Sequence, residues 1–166
     1  MLPYLHSLMA NTEIKICGLS TPETLDAAVA AGATHIGLNL YEPSPRYVTV
    51  DNAAALRRRV PLHVKVVLVT VNLEAAAIAQ ALEAIRPDAI QFHGAETPEW
   101  LAQIRNNSPS EVWKAVGVRN AASFDYARTF KGAADKVLYD AASGAMPGGS
   151  GLAIDGAAAT PADGGP

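Results

Sequence analysis

From residue 13 onward, short apolar runs alternate with longer amphipathic stretches. Val64-Lys65-Val66-Val67-Leu68-Val69 is almost continuously apolar, which suits a strand covered on both faces in a parallel sheet. The same reading predicts strands over 13–17, 35–40, 64–70, 88–92, 112–116 and 135–139. The segments between them read as helices with recognisable starts. Ser20-Thr21-Pro22-Glu23 supplies a cap, an early proline and a first-turn acid, after which Leu25, Ala28 and Val29 form one apolar stripe. Thr97-Pro98-Glu99 repeats the device before Trp100, Leu101 and Ile104. Asp51 and Asn72 are the expected caps of helices near 52–59 and 73–85, and Gly32 is the expected stop of the first helix. Strand ends recur roughly every 22–30 residues, the spacing of βα units joined by right-handed crossovers.

Six strands and five helices alternate in this way, and after Asp140 the alternation stops. Ala141 to Gly151 is a glycine-rich loop, and residues 156–166 show neither periodicity nor an apolar face, which predicts a disordered tail. Residues 1–11 lack the basic start and small-residue cleavage site of a signal peptide and read as a disordered extension, with Met9 as an alternative start. Two architectures fit the alternation: an open doubly wound sheet or a (β/α)8 barrel short of its last units. No Gly-x-Gly-x-x-Gly follows the first strand, which counts against a dinucleotide-binding domain.

Composition narrows the classes. The chain has 166 residues, 49% of them hydrophobic and 17% charged, which suits one domain with a sizeable core. The net charge is −3 and the longest basic run is Arg57-Arg58-Arg59, expected at a solvated helix end, so nucleic acid is not an expected partner. No apolar run reaches membrane-span length. One cysteine and no export signal predict the reducing cytoplasm.

That cysteine, Cys17, stands where Glu13-Ile14-Lys15-Ile16-Cys17 breaks at Gly18. It is either core filler or a working group, because free cysteine commonly packs as a small buried hydrophobe, yet strand C-termini are where parallel α/β proteins meet their ligands. Lys15 lies two residues earlier and shares its face of the strand. There it is either a solvated residue or a cation that favours the thiolate.

The motifs decide between the architectures. Lys15-Ile16-Cys17-Gly18-Leu19-Ser20 and Gly37-Leu38-Asn39-Leu40-Tyr41-Glu42-Pro43-Ser44-Pro45-Arg46-Tyr47-Val48 closely resemble the phosphoribosylanthranilate isomerase family of tryptophan biosynthesis. Gln91-Phe92-His93-Gly94, Lys114-Ala115-Val116-Gly117-Val118, Leu138-Tyr139-Asp140 and Gly148-Gly149-Ser150-Gly151 resemble it too, in the right order. The likeness spans about residues 13–155, so residues 12–155 are expected to form an incomplete (β/α)8 barrel of six strands and five helices.

The resemblance implies a cofactor-free, metal-free Amadori rearrangement with a small phosphoribosyl substrate. It casts Cys17 as the general base and Asp140 as the general acid. Asp140 must then carry a proton in a partly desolvated site; otherwise it is a turn cap. Arg46, in a loop stiffened by two prolines, is the expected partner of the anthranilate carboxylate, its alternative being an ordinary surface arginine. Gln91 and His93 share a face and are expected to contact substrate, with a satisfied barrel histidine as the rival for His93. Gly148 and Gly149 are expected in a lid over the sugar phosphate, or in a plain flexible connection.

Two departures from the family stand out. Asn39 and Leu40 replace its usual aromatic or branched apolar residues, which predicts a differently packed anthranilate pocket. Strands seven and eight, which carry the phosphate-binding amides in such barrels, are not visible in the sequence. The alternative reading is therefore a non-catalytic barrel fragment that self-associates through open sheet edges or needs a partner. Indole-glycerol-phosphate synthase, a neighbouring barrel enzyme, would rely on lysine and glutamate chemistry that the Cys17 and Asp140 placement does not match.

Overall fold

A computed structural model describes residues 12–141. Its elements run β1 (Lys15–Cys17), α1 (Pro22–Ala30), β2 (His35–Asn39), α2 (Val50–Arg59), β3 (Lys65–Thr70), α3 (Ala75–Ile85), β4 (Ala89–Phe92), α4 (Pro98–Asn107), β5 (Glu111–Val118), α5 (Ala121–Arg128) and β6 (Lys136–Ala141). The expected strands are present, with ends shifted by two residues at most. The expected extension over 1–11, the tail over 156–166 and the glycine-rich loop lie outside the described residues.

Strand order separates the two candidate architectures. All neighbouring pairs are parallel and the order is β1-β2-β3-β4-β5-β6, with no reversal. A doubly wound sheet must reverse its order to place helices on both faces. A chain that always steps to the next strand through a right-handed crossover keeps its helices on one face and curls toward a barrel. The curl brings the two outer strands toward each other, and Lys136 Nζ on β6 donates to Glu13 Oε2, just ahead of β1, at 2.8 Å. The fold is thus of the (β/α)8-barrel family, with six strands and five helices among the described residues.

The two faces of the sheet bury different things. Ile36, Leu38, Val66, Leu68, Ile90, Phe92, Val112 and Val116 join Leu25, Leu56, Ile78, Ile85 and Leu101 from the helices in one continuous core. The other face holds a small cluster of Val67, Ala89 and Trp113, with Leu138 packed against it. Strand periodicity of two makes this partition automatic.

Helix starts follow the sequence in part. The Thr21 side chain accepts from the Thr24 amide and Thr24 reciprocates, so α1 opens on a complete capping box, while Thr97 caps α4. Gly32, at φ +89°, follows the end of α1. The other two assignments are corrected. Thr49, not Asp51, caps α2, which leaves Asp51 in the first turn. Asn72 does not cap α3, which begins after Glu74; its side chain accepts from the Ala95 amide instead. The Arg57-Arg58-Arg59 run does close α2, where Arg57 pairs with Asp88 and Arg59 with Asp26.

A repeated clamp registers alternate strands. Thr34 Oγ1 accepts the Ile14 amide at 2.7 Å while the Thr34 amide donates to the Ile14 carbonyl. Asp88 does the same to Val66, and Asp135 to Val112, each carboxylate accepting at 2.8 Å. Both aspartates are gripped by an arginine, Arg57 on α2 for Asp88 and Arg105 on α4 for Asp135. Burial pushes the Asp135 carboxyl up, but the Val112 amide and the Arg105 guanidinium outweigh it and hold it below its ordinary value. A carboxyl depressed in the folded state stabilises above its unfolded value and loses that contribution as pH falls through the folded one. Asp135→Asn should therefore lower stability at pH 7. It should also flatten the loss between about pH 4 and pH 2, as read from urea denaturation at the two extremes.

Candidate active site

The C-terminal ends of the strands surround a cleft of about 280 Å³ lined by residues from all six strands and the loop after β2. Cys17 ends β1 and is exposed to this cleft, its thiol free. The tight approach of β1 and β2 explains the glycine at position 37. A Cβ there would lie 2.7 Å from Cys17 Sγ and 3.2 Å from Lys15 Nζ, so thiol and ammonium share the hollow that Gly37 leaves. Asp140, near the end of β6, faces the same cleft with its side chain 34% exposed.

Arg46 is carried by the loop between β2 and α2. The Ser44 amide donates to the Tyr41 carbonyl and the Tyr47 amide to Ser44, which folds the loop into successive turns. Asn39 braces it from below, with Nδ2 donating to Ser44 Oγ at 3.0 Å and Oδ1 accepting the Tyr41 amide at 2.9 Å. Ser44 Oγ also accepts the Arg46 amide. The loop lays the Arg46 side chain across Gly18, where a Cβ would come within 2.5 Å of Arg46 Cδ and 3.0 Å of Nε. Gly18 has φ +81°, so both conformation and contact call for glycine there. Asn39 thus serves the arginine loop.

Gln91 and His93 enter from β4 and its following turn. Gln91 is buried and its side-chain oxygen finds no partner among the described residues, leaving a free acceptor at the cleft wall. His93 Nε2 lies 3.3 Å from Asp140 Oδ2. Burial is the largest influence on His93 and holds its imidazole below the ordinary histidine value. Asp140 opposes this, Lys114 and Lys15 add to it, and Glu96 opposes it weakly. The lowered value favours the neutral imidazole near pH 7, and its Nε2 stands beside the carboxyl of the acid that the sequence nominates.

The structure brings Cys17, Asp140, Arg46, Gln91 and His93 to one cleft, with Lys15 beside the thiol. Gly148 and Gly149 lie outside the described residues. Sequence reasoning missed the His93–Asp140 pairing, which spans 47 positions, and the roles of Asn39 and Ser44 in carrying Arg46. The Ser44 flanked by prolines was the one available signal. Among the described residues no group of His, Cys, Asp and Glu is arranged to hold a metal ion, and no helix is long and apolar enough to cross a membrane.

Residues 14–159 match the family described as PRAI, N-(5'phosphoribosyl)anthranilate (PRA) isomerase. The chain belongs to this family. It is 50% identical over 141 residues to the N-(5'-phosphoribosyl)anthranilate isomerase of Erythrobacter litoralis, covering 85% of this chain and 68% of that protein. A crystal structure of phosphoribosyl anthranilate isomerase with reduced 1-(o-carboxyphenylamino)-1-deoxyribulose 5-phosphate superposes with a TM-score of 0.73 at 30% identity, over 78% of this chain and 65% of that one. Another, described as mutually generated monomers of the dimeric isomerase from Thermotoga maritima, gives 0.72 at 31% identity, with the same coverage of both chains. The chain thus spans about two thirds of the length of these relatives.

Two outcomes follow from this geometry. The one thiol, being exposed, should react with a single equivalent of a disulfide reagent without denaturant. Gly18→Ala should cost about 1–2 kcal/mol from its left-handed backbone alone, more if Arg46 is displaced, as measured by chemical denaturation.

Proposed function

We propose that this chain converts N-(5'-phosphoribosyl)anthranilate to 1-(2-carboxyphenylamino)-1-deoxyribulose 5-phosphate, a step of tryptophan biosynthesis. One observation carries the reading: the thiol of the first strand and the carboxyl of the sixth face a single cleft, with a guanidinium beside them. Family membership supports it.

The reaction needs a proton delivered to the furanose ring oxygen as the C1–O bond breaks. The nitrogen lone pair follows to make an iminium, and the ring oxygen leaves as a hydroxyl. A base then removes the proton on C2, and the C–H electrons form a C1–C2 double bond while the iminium electrons return to nitrogen. The resulting enolamine tautomerises to the ketone. C1 is reduced as C2 is oxidised within one molecule, so no external electron carrier enters the balance.

Asp140 supplies the first proton, with the His93 imidazole beside its carboxyl. Cys17 accepts the C2 proton, and the Lys15 ammonium, which shares the Gly37 hollow with the thiol, is a positive charge placed to favour the thiolate. Arg46 is suited to a bidentate grip on the anthranilate carboxylate. Gln91 offers its unpartnered oxygen to a substrate hydroxyl or amine. A thiol kept reduced fits the cytoplasm, where we place the reaction. We also propose that copies associate through the outer strands, because Ile14, Ile16 and Tyr139 on or beside β1 and β6 are exposed.

The test is turnover followed by loss of anthranilate fluorescence. Cys17→Ala should lower kcat by about 10²-fold or more with a much smaller change in KM, as expected for a lost general base. Asp140→Asn keeps shape and polarity but cannot deliver the proton, and should lose a similar ~10²-fold. The double variant should lose far less than the product of the two, since both groups serve one coupled rearrangement. Near-normal turnover in Cys17→Ala would remove the thiol from the mechanism.

A further inference from the structure

We propose that Lys114, through a buried ion pair with Glu96, is a positioning residue for His93 and hence for the His93–Asp140 pair. The proposal deepens the isomerase reading and rests on it for the reaction served. Lys114 lies on β5 between Trp113 and Ala115, which belong to the cleft side of the sheet. Its own side chain therefore points into the layer between sheet and helices, where it is 1% exposed and Glu96 is 4% exposed. An ion pair in an apolar layer is an expensive way to fill space, since well-packed hydrophobic residues generally do as well or better. Its contacts indicate what it is for.

Lys114 Nζ donates to Glu96 Oε2 at 2.9 Å and to the Gly94 carbonyl at 2.6 Å, with the Phe130 ring 5.5 Å away. Glu96 spends its oxygens on backbone: Oε1 accepts the Asn72 amide at 2.8 Å and Oε2 the Gly94 amide at 2.9 Å. Asn72 completes the knot, its left-handed backbone (φ +49°) turning Oδ1 onto the Ala95 amide at 2.7 Å. The turns after β3 and β4 are thereby tied around one charge pair, and the knot leaves no room for a side chain at Gly94. A Cβ there would fall 2.3 Å from Asn72 Oδ1 and 2.9 Å from the Asn72 amide nitrogen. Both backbone polar groups of Gly94 are held by the pair, and Gly94 follows His93 directly. The His93 amide itself donates to the Thr70 carbonyl at 2.9 Å. The ion pair thus fixes the backbone from which His93 reaches Asp140, while neither Lys114 nor Glu96 lines the cleft.

The same arrangement sets the field on the imidazole. His93 is faced by Asp140 from β6, Lys114 from β5, Lys15 from β1 and Glu96 from its own turn. Removing the Lys114 charge leaves Glu96 and Asp140 opposed only by burial and Lys15, so the imidazole should take up a proton at higher pH. Removing both charges of the pair should largely restore the electrostatics while still cutting the tie to Gly94.

The experiment follows the His93 imidazole by NMR titration in the full 166-residue chain, assigned against His93→Gln, alongside the Gly94 and Ala95 amides. In Lys114→Met the His93 midpoint should rise by about half a pH unit or more. Lys114→Met/Glu96→Gln avoids the lone buried charge and serves if the single variant does not fold. In it the midpoint should move much less, but both amides should shift and lose exchange protection. Leu25→Ala, in the same helix layer but on α1, which follows β1 at the other side of the sheet, is the control for general destabilisation and should leave all three signals in place. Where turnover is measurable, both Lys114 variants should lose about 10- to 10²-fold in kcat with KM within about twofold, as for a misplaced catalytic group. The proposal is overturned if the His93 titration and the two amides respond to Lys114→Met, or to the double variant where the single does not fold, no more than to Leu25→Ala. The NMR readout needs no turnover. Absence of isomerase turnover in the unsubstituted chain would therefore sink the isomerase reading without deciding the positioning role.

Discussion

The alternation of side chains along parallel strands set in sequential order is the constraint on which this structure depends. Because every strand pairs with the next one in sequence, all helices cover the same face. Odd and even positions then acquire opposite fates along each strand. On β5, Val112, Lys114 and Val116 go to the helix layer while Trp113 and Ala115 go to the interior. On β1 the same rule puts Lys15 and Cys17 together on the cleft side. A one-residue slip in any strand would exchange the two sets and place its chemistry among the helices.

Proximity at the cleft is inherited from this arrangement, and precision is added by glycines and loops. Gly37 opens the hollow shared by Sγ and Nζ, Gly18 lets Arg46 cross beside the thiol, and Gly94 allows the turn after β4 to press on Asn72. Each of the three lies where a strand end meets a neighbour's side chain, and each would have to be rebuilt to carry even one methyl group. The polar supports follow the same economy. Asn39 and Ser44 hold the arginine loop, and Glu96 holds two turns with one carboxylate.

The strands were legible because continuous apolar runs such as Val66 to Val69 leave little choice of period, and the α1 and α4 caps because Thr-Pro-Glu is a local device. Asn72 misled because its residue type suits a helix cap, while a tertiary partner, the Ala95 amide, takes its oxygen. Thr49 took the cap expected of Asp51 for a plainer reason, two good capping residues standing two positions apart. At the cleft, Cys17, Asp140 and Arg46 could be nominated from short motifs. Their grouping could not, because it depends on how far the sheet curls. The Lys114–Glu96 pair was invisible for a related reason. Nothing in the local sequence links the two residues until β5 and the turn after β4 are placed side by side.

The clamps that Thr34, Asp88 and Asp135 place on the strand before their own bear on how the chain comes into being. Each grips a strand that has already been synthesised and asks nothing of one still to come. Strand partners lie about one βα unit apart in sequence, so loop closure is inexpensive at every step. A nascent chain leaving the ribosome can therefore dock each new unit on the one before it, extending the sheet in the order of translation. The Glu13–Lys136 contact is the exception, since it joins residues 123 positions apart and must wait until β6 has emerged. It therefore marks the moment at which a growing row of units first becomes a curved wall around a cleft.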